Sequence, residues 1–211
     1  MFKNGMYFGD AALYELIRKL GGQWNDAKER PIVCLLPAKE NPNLYWAIPV
    51  GNWEHRDEKA KARIMSYLES DTRHIRSCFY HLGKTTTKSI FFISDVIPIT
   101  DKYIAREYLG YNSQIYIIKN KHLIAELERK LKRILSYEAV NKNYFRQHIT
   151  DIKNYLLQKI NDSISSLNEK NSYNDFQDES FNNSSSILEE SLFEKSKSDD
   201  IEPGDSLYKI T

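Results

Sequence analysis

The stretch Arg30-Pro31-Ile32-Val33-Cys34-Leu35-Leu36-Pro37 is followed, past a polar turn, by Leu44-Tyr45-Trp46-Ala47-Ile48-Pro49-Val50-Gly51-Asn52. The first apolar run is short and bounded by turn residues, which reads as a buried strand. The second run returns after residues 37–43, so the two predict an antiparallel hairpin with a long loop. In such a pair the start of one strand lies beside the end of its partner. Arg30 is therefore expected near Gly51, Asn52 and His55.

Outward from the hairpin, Met6-Tyr7-Phe8 predicts a short first strand. Asp10 then caps a helix through Leu20, with Leu13, Leu16, Ile17 and Leu20 on one stripe and Gly21-Gly22 ending it. Residues 54–69 are rich in helix formers, with Ala60, Ile64 and Leu68 at helical spacing. Ile90-Phe91-Phe92-Ile93 predicts a strand, Thr100 the cap of a short helix through Tyr108, and residues 114–118 another strand. Leu123, Leu127, Leu131 and Ile134 mark a long helix. Phe145, Ile149, Ile152 and Leu156 mark a last one over 143–160. The expected fold class is α+β: a small antiparallel, barrel-like β core with inserted helices and a C-terminal helical pair, not a doubly wound sheet.

The overall charge of +1 hides an asymmetry. Residues 161–211 hold 12 acidic and 4 basic side chains, which leaves 26 Lys+Arg against 17 Asp+Glu in residues 1–160. The body is thus about +9 and the tail −8. A body with that excess attracts polyanions, and the tail is a candidate competitor for the same surface. From Ser163 onward the tail is dominated by Ser, Asn, Asp and Glu and is expected to be disordered, because it lacks the apolar surface to offset its ordering entropy. Two domains follow: a body over 1–160 and an acidic tail over 161–211. Cys34 and Cys78 read as reduced thiols. Met1 to Tyr7 lacks a sustained apolar run, so no secretory leader is expected. No window reaches the roughly 20 apolar residues of a membrane span. A cytoplasmic location without membrane partners is the expectation.

No P-loop, dinucleotide fingerprint, nucleophile elbow or zinc-helix motif is present, and the five histidines show no metal-ligand spacing. No cofactor or metal is expected. The polar and basic residues at the hairpin ends fit RNA cleavage by side chains alone. His55 can move protons, Arg30 and Arg56 can hold phosphorane charge, Asn52 can position the phosphate, and Trp53 can stack an unpaired base. The competing reading makes His55 an exposed residue at a helix start and Trp53 a lid on the core. Arg73, His74, Arg76, Ser77 and Lys84 form a second polar group that could contact RNA or be a solvated loop. Lys130, Lys132 and Arg133 flank the long helix, as an ordinary amphipathic border or a further RNA face.

The order of these pieces resembles the ToxN/AbiQ/TenpN group of type III toxins over residues 6–160. The resemblance rests on Arg30 before an apolar strand, on Tyr45-Trp46-Ala47-Ile48-Pro49, on a following polar segment with His55, on Ile90–Ile93 with Pro98, and on the basic helix of residues 122–137. It implies a compact barrel like that of MazF-type toxins and an endoribonuclease that leaves a 2′,3′-cyclic phosphate. It further implies inhibition by a small RNA antitoxin, often in a ring of alternating protein and RNA. That group carries hydroxyl residues just after the Pro-bearing strand; here Gly51 and Asn52 stand there. The expected function is such a toxin. The alternatives are a non-catalytic RNA- or protein-binding module masked by its tail, and a toxin neutralised by a protein antitoxin.

Overall fold

The computed structural model describes residues 1–24 and 29–166. The chain divides into two units, residues 1–160 and 161–211. Of the second, residues 161–166 are described and are helical. The expectation of a disordered tail from Ser163 onward otherwise lies outside the described residues, as do Asn25 to Lys28 of the lead into the hairpin.

In the first unit the elements are β1 (Met6–Gly9), α1 (Ala11–Lys19), β2 (Pro31–Pro37), β3 (Tyr45–Asn52), α2 (Glu58–Leu68), β4 (Tyr80–Lys84), β5 (Lys88–Phe92), β6 (Ile97–Ile99), β7 (Ile104–Glu107) and α3 (Lys121–Val140). Residues 149–160 form a further helix, α4. Local chemistry sets many of the boundaries. Asp10 caps α1 by accepting from the Ala12 amide, and Gly21 follows the helix in the left-handed region at φ 81°. Asp57 caps α2 and Asn120 caps α3 through the same kind of bond.

The seven strands form one antiparallel sheet in the order β4-β5-β3-β2-β1-β7, with β6 also paired to β3. The predicted hairpin is its centre, with Ile32 opposite Pro49 and Val33 opposite Ile48. Alternation along the strands sends residues to two cores. Met6, Val33, Leu35, Ile48 and Phe91 pack with Leu127, Leu131 and Ile134 of α3. Tyr7, Ile32, Cys34, Ala47 and Ile97 pack with Leu13 and Ile17 of α1 and with Ile152 and Leu156 of α4. Ile32 to Leu35 are fully buried because the central strands are covered on both sides, which is why the run is continuously apolar.

The expected α+β class with antiparallel strands stands, but the sheet is not closed into a barrel: β4 and β7 are its two ends. A barrel keeps one filled interior, whereas this sheet buries a core on each face beneath helices, and the layer stays open. Three other expectations change. Thr100 precedes only a single 3-10 turn, Asp101–Tyr103, and the chain then extends as β7. Pairing with β1 overrides local helix propensity there, and Arg106 lies 3.7 Å from the Phe8 ring centre. Residues 114–118 make only isolated bridges, Gly5 to Ile117 and Leu109 to Ile115. The last helix begins at 149, not 143, after a connection in which Asn143 and His148 take left-handed φ of 57° and 56°. The sequence reading also missed β4, whose residues pair with β5 from Tyr80–Phe92 to Lys84–Lys88. Both cysteines are buried free thiols, and burial pushes the Cys34 thiol up to about 12. Among the described residues no helix is long and apolar enough to cross a membrane.

Candidate functional site

One break in the sheet shapes the site. β5 pairs with β3 as far as Phe91 opposite Val50, and β6 resumes at Ile97 opposite Ala47. Two residues of β3, Ile48 and Pro49, therefore face five of the adjoining segment, residues 92–96. The surplus folds into a 3-10 turn, Ile93–Asp95. Buried Ile93 and Val96 anchor the turn in the core, and the Ile93 and Ser94 amides both donate to the Phe79 carbonyl. The excursion brings Ser94 and Asp95 to the wall of a cleft of about 490 Å³.

Four arginines line that cleft: Arg30 before β2, Arg56 before α2, Arg63 on α2 and Arg146 in the α3–α4 connection. Arg30 and Arg56 share one aromatic neighbour, with guanidinium carbons 5.2 and 5.3 Å from the Phe92 ring centre. Arg56 reaches this place because Gly51 has no side chain; a Cβ there would lie 2.8 Å from an Arg56 terminal nitrogen. The Nε atoms of Arg30 and Arg56 are buried without hydrogen-bond partners among the described residues. Burial, and then the charge of Arg56, pull Arg30 below the usual guanidinium range. The one acidic wall residue among those described, Asp95, accepts from Arg146 at 2.7 Å and from the Gln147 side-chain Nε2 at 3.1 Å. The other three arginines have no carboxylate within ion-pair distance among the described residues. Three like charges gathered without a counter-charge of their own among the described residues, with donors left over, make a seat for an anion with several oxygens.

Tyr67, Tyr80 and Tyr144 add phenols to the lining. Tyr67 lies four residues after Arg63 on α2, so both point the same way. Burial, and then Asp95, raise the Tyr80 phenol, which keeps it protonated as a donor. The Lys130 ammonium donates to the Tyr80 carbonyl at 2.8 Å and ties β4 to α3.

The predicted site residues divide into groups. Arg30 and Arg56 meet in the cleft. Asn52 and His55 meet each other, with a long 3.5 Å contact between Asn52 Nδ2 and His55 Nε2, but neither lines the cleft. Asn52 Oδ1 accepts from the Glu54 amide at 2.8 Å, so the side chain shapes the turn, and His55 is exposed. Trp53 is 7% exposed and packs with Ile64, Ile90 and Phe92, so it offers no open face to a base. It serves the lid role that the competing reading gave it.

Arg73, His74 and Arg76 line a different cavity of about 820 Å³, together with Lys132 and Arg133 of α3. The fold thus merges two basic groups that are far apart in the chain. Arg133 donates to the Thr72 and Arg73 carbonyls at 2.6 and 3.1 Å and fastens the loop to α3. The exposed Arg73 pairs with Asp71 at 2.9 Å, and His74 Nδ1 accepts from the Arg76 amide. Ser77 is buried, and its hydroxyl donates to the His74 carbonyl at 2.8 Å, so it faces no ligand. Lys84 lines a third cavity beside residues 110–120, apart from the rest.

Sequence reasoning missed Arg63, Tyr80, Asp95 and Arg146. Arg63 and Tyr67 carried a helical spacing that could have been read as one face. Asp95 and Arg146 carried no local signal. No model of a known protein family matches the chain, and no curated protein matches it, so the reading of its function rests on these residues and their geometry.

Proposed function

We propose that this chain binds RNA by its phosphates in the arginine cleft and cleaves it, as an endoribonuclease toxin of the type III kind. The observation that carries the reading is the convergence of Arg30, Arg56 and Arg63 in one concavity without carboxylate partners among the described residues, two of them bearing buried Nε–H donors that bond to none of those residues. A phosphodiester seated there accepts from the guanidinium groups that line the cleft. Attack by the ribose 2′-oxygen on phosphorus forms one P–O bond as the bond to the 5′-oxygen breaks, giving a 2′,3′-cyclic phosphate and a free 5′-hydroxyl. The arginines oppose the charge that builds on the phosphorane. Tyr80, kept protonated, donates to the leaving 5′-oxygen, and His55, exposed and outside the cleft lining, takes the 2′-hydroxyl proton of a ribose that extends beyond the cleft. The route uses side chains throughout. On this reading the inhibitor is a small structured RNA, whose own phosphates suit the same cations.

A second reading, a non-catalytic RNA-binding module, is favoured by one observation: His55 is not among the residues that line the cleft. The two separate on incubation of the purified chain with an end-labelled RNA in the presence of a chelator. The toxin reading expects fragments ending in a 2′,3′-cyclic phosphate, with the rate down about 100- to 1,000-fold in Arg30→Ala and about 100-fold or more in His55→Ala. RNA that is bound by the wild-type chain and stays intact gives the ground to the binding module. RNA that is neither bound nor cut sinks both.

A further inference from the structure

The two basic cavities are not independent. Tyr144, in the α3–α4 connection, lines both the arginine cleft and the cavity of Arg73, Arg76, Lys132 and Arg133. Its side chain stands at their junction and is 52% exposed, although it belongs to an ordered aromatic group. The Tyr137 ring lies 4.8 Å away at 71° and the Phe145 ring 5.2 Å away at 85°, so both stand nearly perpendicular to the Tyr144 ring.

The backbone beneath it is fixed in the same way. Glu138 is 4% exposed and accepts from the Asn143 amide at 2.6 Å, the Tyr144 amide at 3.1 Å and the Thr150 hydroxyl at 2.6 Å. A buried carboxylate spent on three donors is a costly way to hold an ordinary surface turn. It sets one aromatic ring, already ordered, between two groups of cations.

We infer that Tyr144 is a stacking platform for one unpaired base, and that the Arg73–Arg76–Lys132–Arg133 cavity is a second phosphate subsite on the same single-stranded RNA. The inference rests on the RNA reading of the arginine cleft and extends it. Phosphates flanking the stacked nucleotide enter the two cavities, and the base lies on the phenol ring between them. A ring held in place before binding loses little freedom when a base stacks on it, and stacking tolerates any base because each has a π-face. Arg76 has no carboxylate partner among the described residues, and the Lys132–Glu128 contact is long at 3.5 Å. Both cations can therefore turn to phosphate at little cost.

The test uses the full chain and a fluorescein-labelled 2′-O-methyl oligonucleotide of mixed sequence, which lacks the attacking hydroxyl and so reports binding apart from cleavage. A second probe has the same backbone without bases. By fluorescence anisotropy, Tyr144→Ala is expected to weaken binding of the base-bearing probe about 5- to 150-fold, and Tyr144→Phe to leave it near wild type. Removing the bases from the probe should weaken wild-type binding by a similar factor and leave Tyr144→Ala unaffected, a comparison that needs no variant to fold better than another. Arg73→Ala with Arg76→Ala should lower the slope of log affinity against log salt by about 0.7 per lost contact, while Tyr144→Ala should not alter it. Equal wild-type affinity for both probes, or no loss in Tyr144→Ala while Arg30→Ala loses binding, overturns the platform and leaves the RNA reading intact. No binding of either probe by the wild type overturns both.

Discussion

Gly51→Ala separates the stability of the hairpin from the work of the cleft. The backbone at Gly51 is not in the left-handed region, so alanine meets no conformational strain, and its Cβ would lie 2.8 Å from an Arg56 terminal nitrogen, 3.1 Å from Phe92 Cε2 and 3.6 Å from Ile90 Cγ2. The closest of these atoms is the free end of a long side chain, so it moves in preference to the sheet. Displacing Arg56 forfeits its contact with the Phe92 ring, about 0.5–1 kcal/mol. Replacing glycine stabilises by about 0.4–1 kcal/mol through the unfolded chain. The two terms nearly cancel, and stability to urea should stay within about 1 kcal/mol of wild type. RNA affinity should not. A charge-assisted bond from Arg56 to phosphate contributes about 1.5–3 kcal/mol, so its loss weakens binding about 10-fold or more. Urea unfolding and anisotropy on the same preparation read the two quantities, and Arg56→Ala supplies the control: on that background Gly51→Ala should leave affinity unchanged. Undiminished affinity in Gly51→Ala, or a loss that persists without Arg56, would refute the role given to this contact.

Burial, and then the charge of Lys130, lower the His81 imidazole from 6.5 to about 4. The unfolded chain therefore binds the proton first, and stability that is full above pH 6.5 declines as the pH falls toward 4. Halved for its partial exposure to solvent, the shift corresponds to about 1.7 kcal/mol. His81→Gln should flatten that limb of a stability–pH curve by this amount, and an unchanged limb would show that other groups cause it. At Glu138 a carboxamide places an NH₂ where a donor already points, so Glu138→Gln should cost about 1–3 kcal/mol in urea unfolding. Wild-type stability in that variant would mean the α3–α4 connection does not depend on the three bonds to Glu138.

What the sequence determined by itself was local. Short apolar runs and turn residues marked β2 and β3, Asp10 and Gly21 marked the ends of α1, and antiparallel register alone set Arg30 beside Gly51. Each depends on residues a few positions apart, or on one hairpin, so short-range sterics and hydrogen bonding suffice to read it. The glycine at position 51 was also visible there, but not its consequence, since the room it leaves is filled by Arg56 from outside the strand. Only tertiary packing decided that Arg63 and Arg146 join Arg30, that Trp53 turns inward, and that the Arg73 loop meets Lys132 and Arg133 of α3. The same holds for the open sheet, because its two cores arise from α1, α3 and α4 settling on opposite faces. Burial of apolar surface drives that packing without regard to sequence distance, and the cations ride on it to positions that no local pattern records.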